Sequence, residues 1–205
     1  MTRLATLVVM ACIALGAAAP ADACLRSMPK LAKKKQVDPT LRDVVAAEKA
    51  LAKGNHTKAA SLARHAIPSL HELPPENAAE LATRAQRTLA IAVIRSGGAT
   101  EVSKEMPGIT SADKALNLAW AQLALTYQAA LHQDNVIVRV QLAEALASNV
   151  FERDHARTIL RDLSTRDLMP TASGYAMLAK LETDVVMRDA ALTRCRDLGG
   201  TACQA

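Results

Sequence analysis

The sequence predicts an all-α fold built from antiparallel helix pairs, and three observations carry that prediction. Ala (42) and Leu (26) together supply about a third of the 205 residues, and both are strong helix formers. Eight Gly and eight Pro are too few for sandwiches or barrels, which need a turn about every ten residues. Apolar side chains recur at three- and four-residue spacing through most of the chain, the period of a helix buried on one side. Half of the residues are apolar, enough to build a core, so an intrinsically disordered chain is excluded.

Residues 1–23 read as an export signal. Arg3 supplies the positive start, Leu4 to Leu15 form an uncharged apolar stretch, and Ala21-Asp22-Ala23 is an A-x-A cleavage pattern. The alternative, an uncleaved anchor, meets an apolar run too short to span comfortably. Cleavage after Ala23 leaves Cys24 at the new N-terminus. A lipobox wants a branched or Leu side chain three residues before such a Cys, and Ala21, Asp22 and Ala23 depart from it. Soluble export to the periplasm or cell exterior is therefore the expectation, with a membrane-anchored lipoprotein acylated at Cys24 as the alternative. Residues 24–39 form a basic segment with Arg26, Lys30, Lys33, Lys34 and Lys35. The chain carries a formal charge of +5, which loss of Arg3 and Asp22 leaves unchanged. Without a recurring basic patch or aromatic surface to stack bases, no nucleic-acid partner is expected.

Helices then follow one another across 40–198. Thr40 reads as the cap of the first, with Val44, Ala47, Ala50 and Leu51 on its stripe and Gly54-Asn55 as its stop. The second starts near Thr57 and carries Ala59, Leu62, Ala63, Ala66 and Ile67. Pro75 suits the first turn of a third, 75–96, which Gly97-Gly98 ends. Residues 99–110, with Met106-Pro107-Gly108, read as a loop. Ser111 or Asp113 starts a fourth helix to about His132, with Leu116, Ala119, Trp120, Leu123, Ala124, Tyr127 and Leu131 as its apolar stripe. Asp134-Asn135, Ser148-Asn149, Met169-Pro170 and Asp184 separate four more, at about 136–149, 152–166, 171–184 and 187–198. Residues 199–205 are a tail. Cys195 and Cys203 lie eight residues apart around Gly199-Gly200, spacing that suits a disulfide; Cys24 with Cys195 is the competing pair.

Three of the pairs share a skeleton in which a small residue of the first helix meets an Ala of the second: Ala47 with Ala59, Ala143 with Ala156, Ala179 with Ala191. The last two copies repeat after 36 and 35 residues, a helix-pair period. Ala50-Leu51-Ala52-Lys53-Gly54-Asn55-His56-Thr57-Lys58-Ala59, followed by Leu62-Ala63 and Ala66-Ile67, resembles the tetratricopeptide repeat. Leu142 to Leu146 with Phe151 and Ala156, and Tyr175, Leu178-Ala179 and Ala191, outline two further copies, while 75–133 fits worst. The resemblance implies a short right-handed α-solenoid, with a helical bundle as the alternative. It also implies a protein or peptide partner on the face lined by the first helix of each pair, where Glu48, Gln141, Glu144 and Lys180 fall. The Lys and Asn with which the family's best-known clamp holds a C-terminal carboxylate are absent there.

Nothing in the sequence announces chemistry. His56, His65, His71, His132 and His155 form no H-E-x-x-H, and there is no G-x-S-x-G, P-loop, G-x-G-x-x-G or metal-spaced Cys cluster. No catalytic, cofactor-binding or metal-ligating residue is therefore expected, and the reading is a binding scaffold rather than an enzyme.

Overall fold

Helix-favouring composition and well-placed caps give the chain its elements. The computed structural model describes residues 38–70, 74–100, 102, 113–200 and 203. The export signal 1–23, Cys24, the basic run and most of the 99–110 loop lie outside the described residues. Those that are described form α1 (Pro39–Ala52), α2 (His56–Ser69), α3 (Pro75–Arg95), α4 (Lys114–Leu131), α5 (Val136–Ala147), α6 (Arg153–Thr165), α7 (Ala172–Leu181) and α8 (Val185–Asp197). Among them there is no strand, and the fold is all-α.

Side-chain oxygens satisfy the orphan amides at the helix starts. Asp38 accepts from the Thr40 amide at 2.7 Å with Pro39 in the first turn, so α1 begins before Thr40, which is buried inside it rather than capping it. Asn55, Asp113 and Asn135 cap α2, α4 and α5. Asp184 accepts from the amides of Val186 and Met187, so α8 starts two residues earlier than the periodicity places it. α7 ends at Leu181 and not at 184, because Glu182 is extended and turns its carboxylate to Arg161 of α6.

Each helix packs against its neighbours in sequence, and α1, α3, α5 and α7 also touch one another in succession. The small residues predicted at the crossings are where close approach demands them: Ala47, Ala59, Ala143, Ala156, Ala179 and Ala191 are all buried. One core cluster joins α1 to α5 around Leu89, Ile91, Val93 and Leu125, and another joins α5 to α8 around Leu160, Leu163, Tyr175 and Leu178. Leu142 of α5 packs against both.

α4 departs from expectation. Leu116, Leu123, Tyr127 and Leu131, read as its core stripe, are 44%, 68%, 61% and 56% exposed. The side chains it buries are Asn117, Ala121, Leu125 and Gln128. The helix is apolar on both sides, and its contacts with α3 and α5 settle which side is covered.

Cys195 of α8 is bonded to Cys203, with an S–S distance of 2.06 Å and Cα atoms 5.7 Å apart. The tail is thereby tied to the last helix, the pairing that the short spacing favours over Cys24 with Cys195. Closing a loop of this length restricts the unfolded chain by about 2–3 kcal/mol. Cys203→Ser is expected to lower stability by about 2 kcal/mol. Dithiothreitol should lower the melting temperature of the unmodified protein to about that of the variant and leave that of the variant unmoved.

Candidate functional site

The side chains that cross between the odd-numbered helices are charged and paired. On α3, Arg84 and Arg95 fall near one line, because eleven residues make about three turns, and Arg87 stands to one side of that line. Arg84 grips Glu48 of α1 with two bonds, Nε to Oε1 at 2.9 Å and Nη2 to Oε2 at 2.7 Å. Arg95 grips Glu144 of α5 in the same fork, at 2.7 and 3.0 Å. Forked guanidinium–carboxylate bonds fix orientation as well as charge. The bond to Glu48 raises the Arg84 pKa and the bond to Glu144 raises that of Arg95, in each case against the burial that opposes it. Arg87 makes no such bond among the described residues. Burial lowers its pKa, Glu48 acts against that, and Arg84 adds to the lowering.

A cleft of about 600 Å³ opens where α3, α5 and α7 end and α6 begins. Ile94, Met177 and Leu181 give it an apolar side. Around them stand four cations, Arg95, Arg153, Arg157 and Lys180, against two acids, Glu144 and Asp154. Glu144 is bound to Arg95, and Arg157 reaches Asp154 at 2.8 Å and the Leu181 carbonyl at 3.3 Å. Arg153 and Lys180 have no ion-pair partner among the described residues. Positive charge suits this end of the molecule, because the C-terminal ends of helices carry partial negative charge. A second opening of about 420 Å³ lies over the start of α3, lined by Glu80, Thr83, Arg84, Arg87, His132 and Asn135.

Of the side chains singled out from the sequence, Glu144 and Lys180 meet in the larger cleft. Glu48 does not reach it and serves as the partner of Arg84. Gln141 turns inward, its Oε1 buried without a hydrogen-bond partner among the described residues. The sequence reading missed Arg84 and Arg95. Their eleven-residue spacing is the signal that places them on one face, and it sits in the helix pair whose repeat pattern is weakest.

Elsewhere, Arg139 of α5 bonds Asp162 of α6 at 2.7 Å, and this bond lowers the Asp162 pKa against its desolvation. The buried Glu182 carboxylate is held below its ordinary value by the Arg161 guanidinium. These ties join successive helices and lie outside the cleft. Among the described residues, no three His, Cys, Asp or Glu side chains are grouped to hold a metal ion. No helix among them is long and apolar enough to cross a membrane.

Fold and cleft together define an all-α protein of helices packed in sequence order, with a cationic, half-apolar cleft at the ends of α3, α5 and α7. No protein-family model, curated protein or solved structure matches the chain.

Proposed function

We propose that the chain is an exported, tetratricopeptide-like scaffold that binds a protein or peptide partner along α1, α3, α5 and α7, without catalysis. The observation that carries this reading is the succession of contacts among the odd-numbered helices. A solenoid of helix pairs keeps the first helix of each pair in one continuous row, and that row is its binding surface. The cleft at the end of the row supplies the chemistry: apolar side chains for anchoring, with Arg153 and Lys180 free to meet acidic side chains of the partner. The Cys195–Cys203 bond fits the oxidising compartment to which residues 1–23 would send the chain.

Panning a random-peptide display library over the immobilised protein tests the reading. The protein should enrich acidic peptides with apolar anchors at least about tenfold over a Lys180→Glu/Arg153→Glu variant, since like charges at a contact cost several kcal/mol. Equal recovery on both proteins sinks the reading.

One observation favours a second reading. With Cys195 and Cys203 bonded to each other, Cys24 of a processed chain has no partner cysteine left. A lipoprotein adaptor would use it as its acylation site. Intact mass of the protein recovered from its native envelope separates the two: a chain beginning at Cys24 without lipid supports the soluble scaffold. A diacylglycerol-sized excess selects the adaptor.

A further inference from the structure

The smaller opening, over the start of α3, collects hydrogen-bond donors that the chain itself leaves unused. Arg87 is the clearest of them. Its guanidinium is partly buried, carries five N–H groups and has neither an ion pair nor a hydrogen bond among the described residues. Burial lowers its pKa, and the charge of Arg84, three residues earlier, adds to the lowering. A charge drawn out of water is ordinarily matched by a partner, because its desolvation otherwise goes uncompensated. Arg84 uses Nε and Nη2 on Glu48, while its Nη1 lies 3.9 Å from the Glu80 carboxylate, beyond hydrogen-bond reach. At the start of α5, Asn135 gives its Oδ1 to the Val138 amide. Its NH2 group and the His132 ring make no bond among the described residues.

We propose that this opening binds a phosphate group, held by Arg87 and the unused Nη1 of Arg84. The donors come from two separate stretches of chain, Arg84 and Arg87 on α3 and His132 and Asn135 between α4 and α5. A phosphoryl group presents three strong acceptor oxygens in a tetrahedral spread, which donors from more than one direction can share. A carboxylate has two oxygens in one plane, and a single guanidinium fork fills it. Nearby acids do not already serve this purpose. Glu48 is held in the Arg84 fork, and Glu80 stands exposed, where water and salt screen its charge.

Size narrows the ligand further. A phosphate ion is no larger than about four waters, on the order of 120 Å³. An opening of about 420 Å³ therefore has room for the small organic part of a phosphate ester. The two openings share no lining residue, so this site stands apart from the proposed scaffold function.

Calorimetric titration of the purified full chain with inorganic phosphate, glycerol 3-phosphate and acetate, each to about 10 mM, tests the proposal. Saturable binding of a phosphate is expected, and the tighter of the two phosphates tells the free ion from the ester. Arg87→Gln should weaken binding at least about tenfold, since it removes charge-assisted bonds. The urea midpoint of that ligand-free variant should hold or rise, because the charge it loses has no partner to leave behind. Arg87→Lys keeps the charge without the fork and should bind with intermediate strength. Glu80→Gln should tighten binding about two- to fivefold by removing a like charge. Arg153→Glu/Lys180→Glu should bind phosphate as the unmodified protein does, whether or not it still binds peptides. Absence of binding by both phosphates overturns the proposal. So does acetate binding as tightly as phosphate, or phosphate binding that survives Arg87→Gln undiminished.

Discussion

Leu125→Ala is expected to lower the unfolding free energy by about 3 kcal/mol, and Leu123→Ala, two residues away, to change it by less than about 0.5 kcal/mol. The chemistry of the two substitutions is the same; only the side of α4 differs. Leu125 is fully buried, in the cluster that includes Leu89, Val93, Val102 and Ala121. Removing three carbons there forfeits their transfer out of water and leaves a cavity that the neighbouring backbone cannot fill. Leu123 is 68% exposed and loses little of either kind. Urea unfolding checks the pair. The opposite ordering would mean that α4 is turned with Leu123 toward α3.

That pair also marks where the sequence stops being legible. Helix starts could be read to within about two residues because local chemistry writes them: Asp38-Pro39, Asn55, Asp113, Asn135 and Asp184 satisfy amides of their own first turns. The packing alanines could be read because a close crossing admits nothing larger. For α4, periodicity offers two apolar faces, and Leu116-Leu123-Tyr127-Leu131 is the richer one. Asn117 joins the covered side through the Gly98 carbonyl, a partner nineteen residues back that no local pattern announces. The site divides the same way. Glu144 and Lys180 follow from position on the first helix of a pair, while the Arg95 that holds Glu144 comes from 49 residues earlier. Gln141 lies on the same helix as Glu144, and its amide oxygen is buried instead of lining the cleft.

Gly98→Ala is expected to cost about 3–4 kcal/mol, the sum of a backbone penalty and a collision. Gly98 ends α3 with φ at +77°, and its amide donates to the Val93 carbonyl at 2.9 Å, closing the last turn. A side chain in that conformation costs about 1–2 kcal/mol by itself. The Cβ would also stand 2.4 Å from the carbonyl oxygen of Lys114 and 3.1 Å from Cγ of Leu118. The oxygen belongs to the first turn of α4 and cannot rotate away as a side chain would, so the start of α4 has to move. Any such movement stretches the bond from Asn117 to Gly98 and exposes its buried amide to a further loss. Gly54→Ala isolates the first term. Gly54 has φ at +75° but nothing within 4 Å of its would-be Cβ, so about 1 kcal/mol is expected there. Denaturant titration of both variants gives the difference. Equal costs would mean that α4 does not approach the end of α3 this closely; a gap of about 2 kcal/mol or more would show that Gly98 sets the distance at which α4 packs.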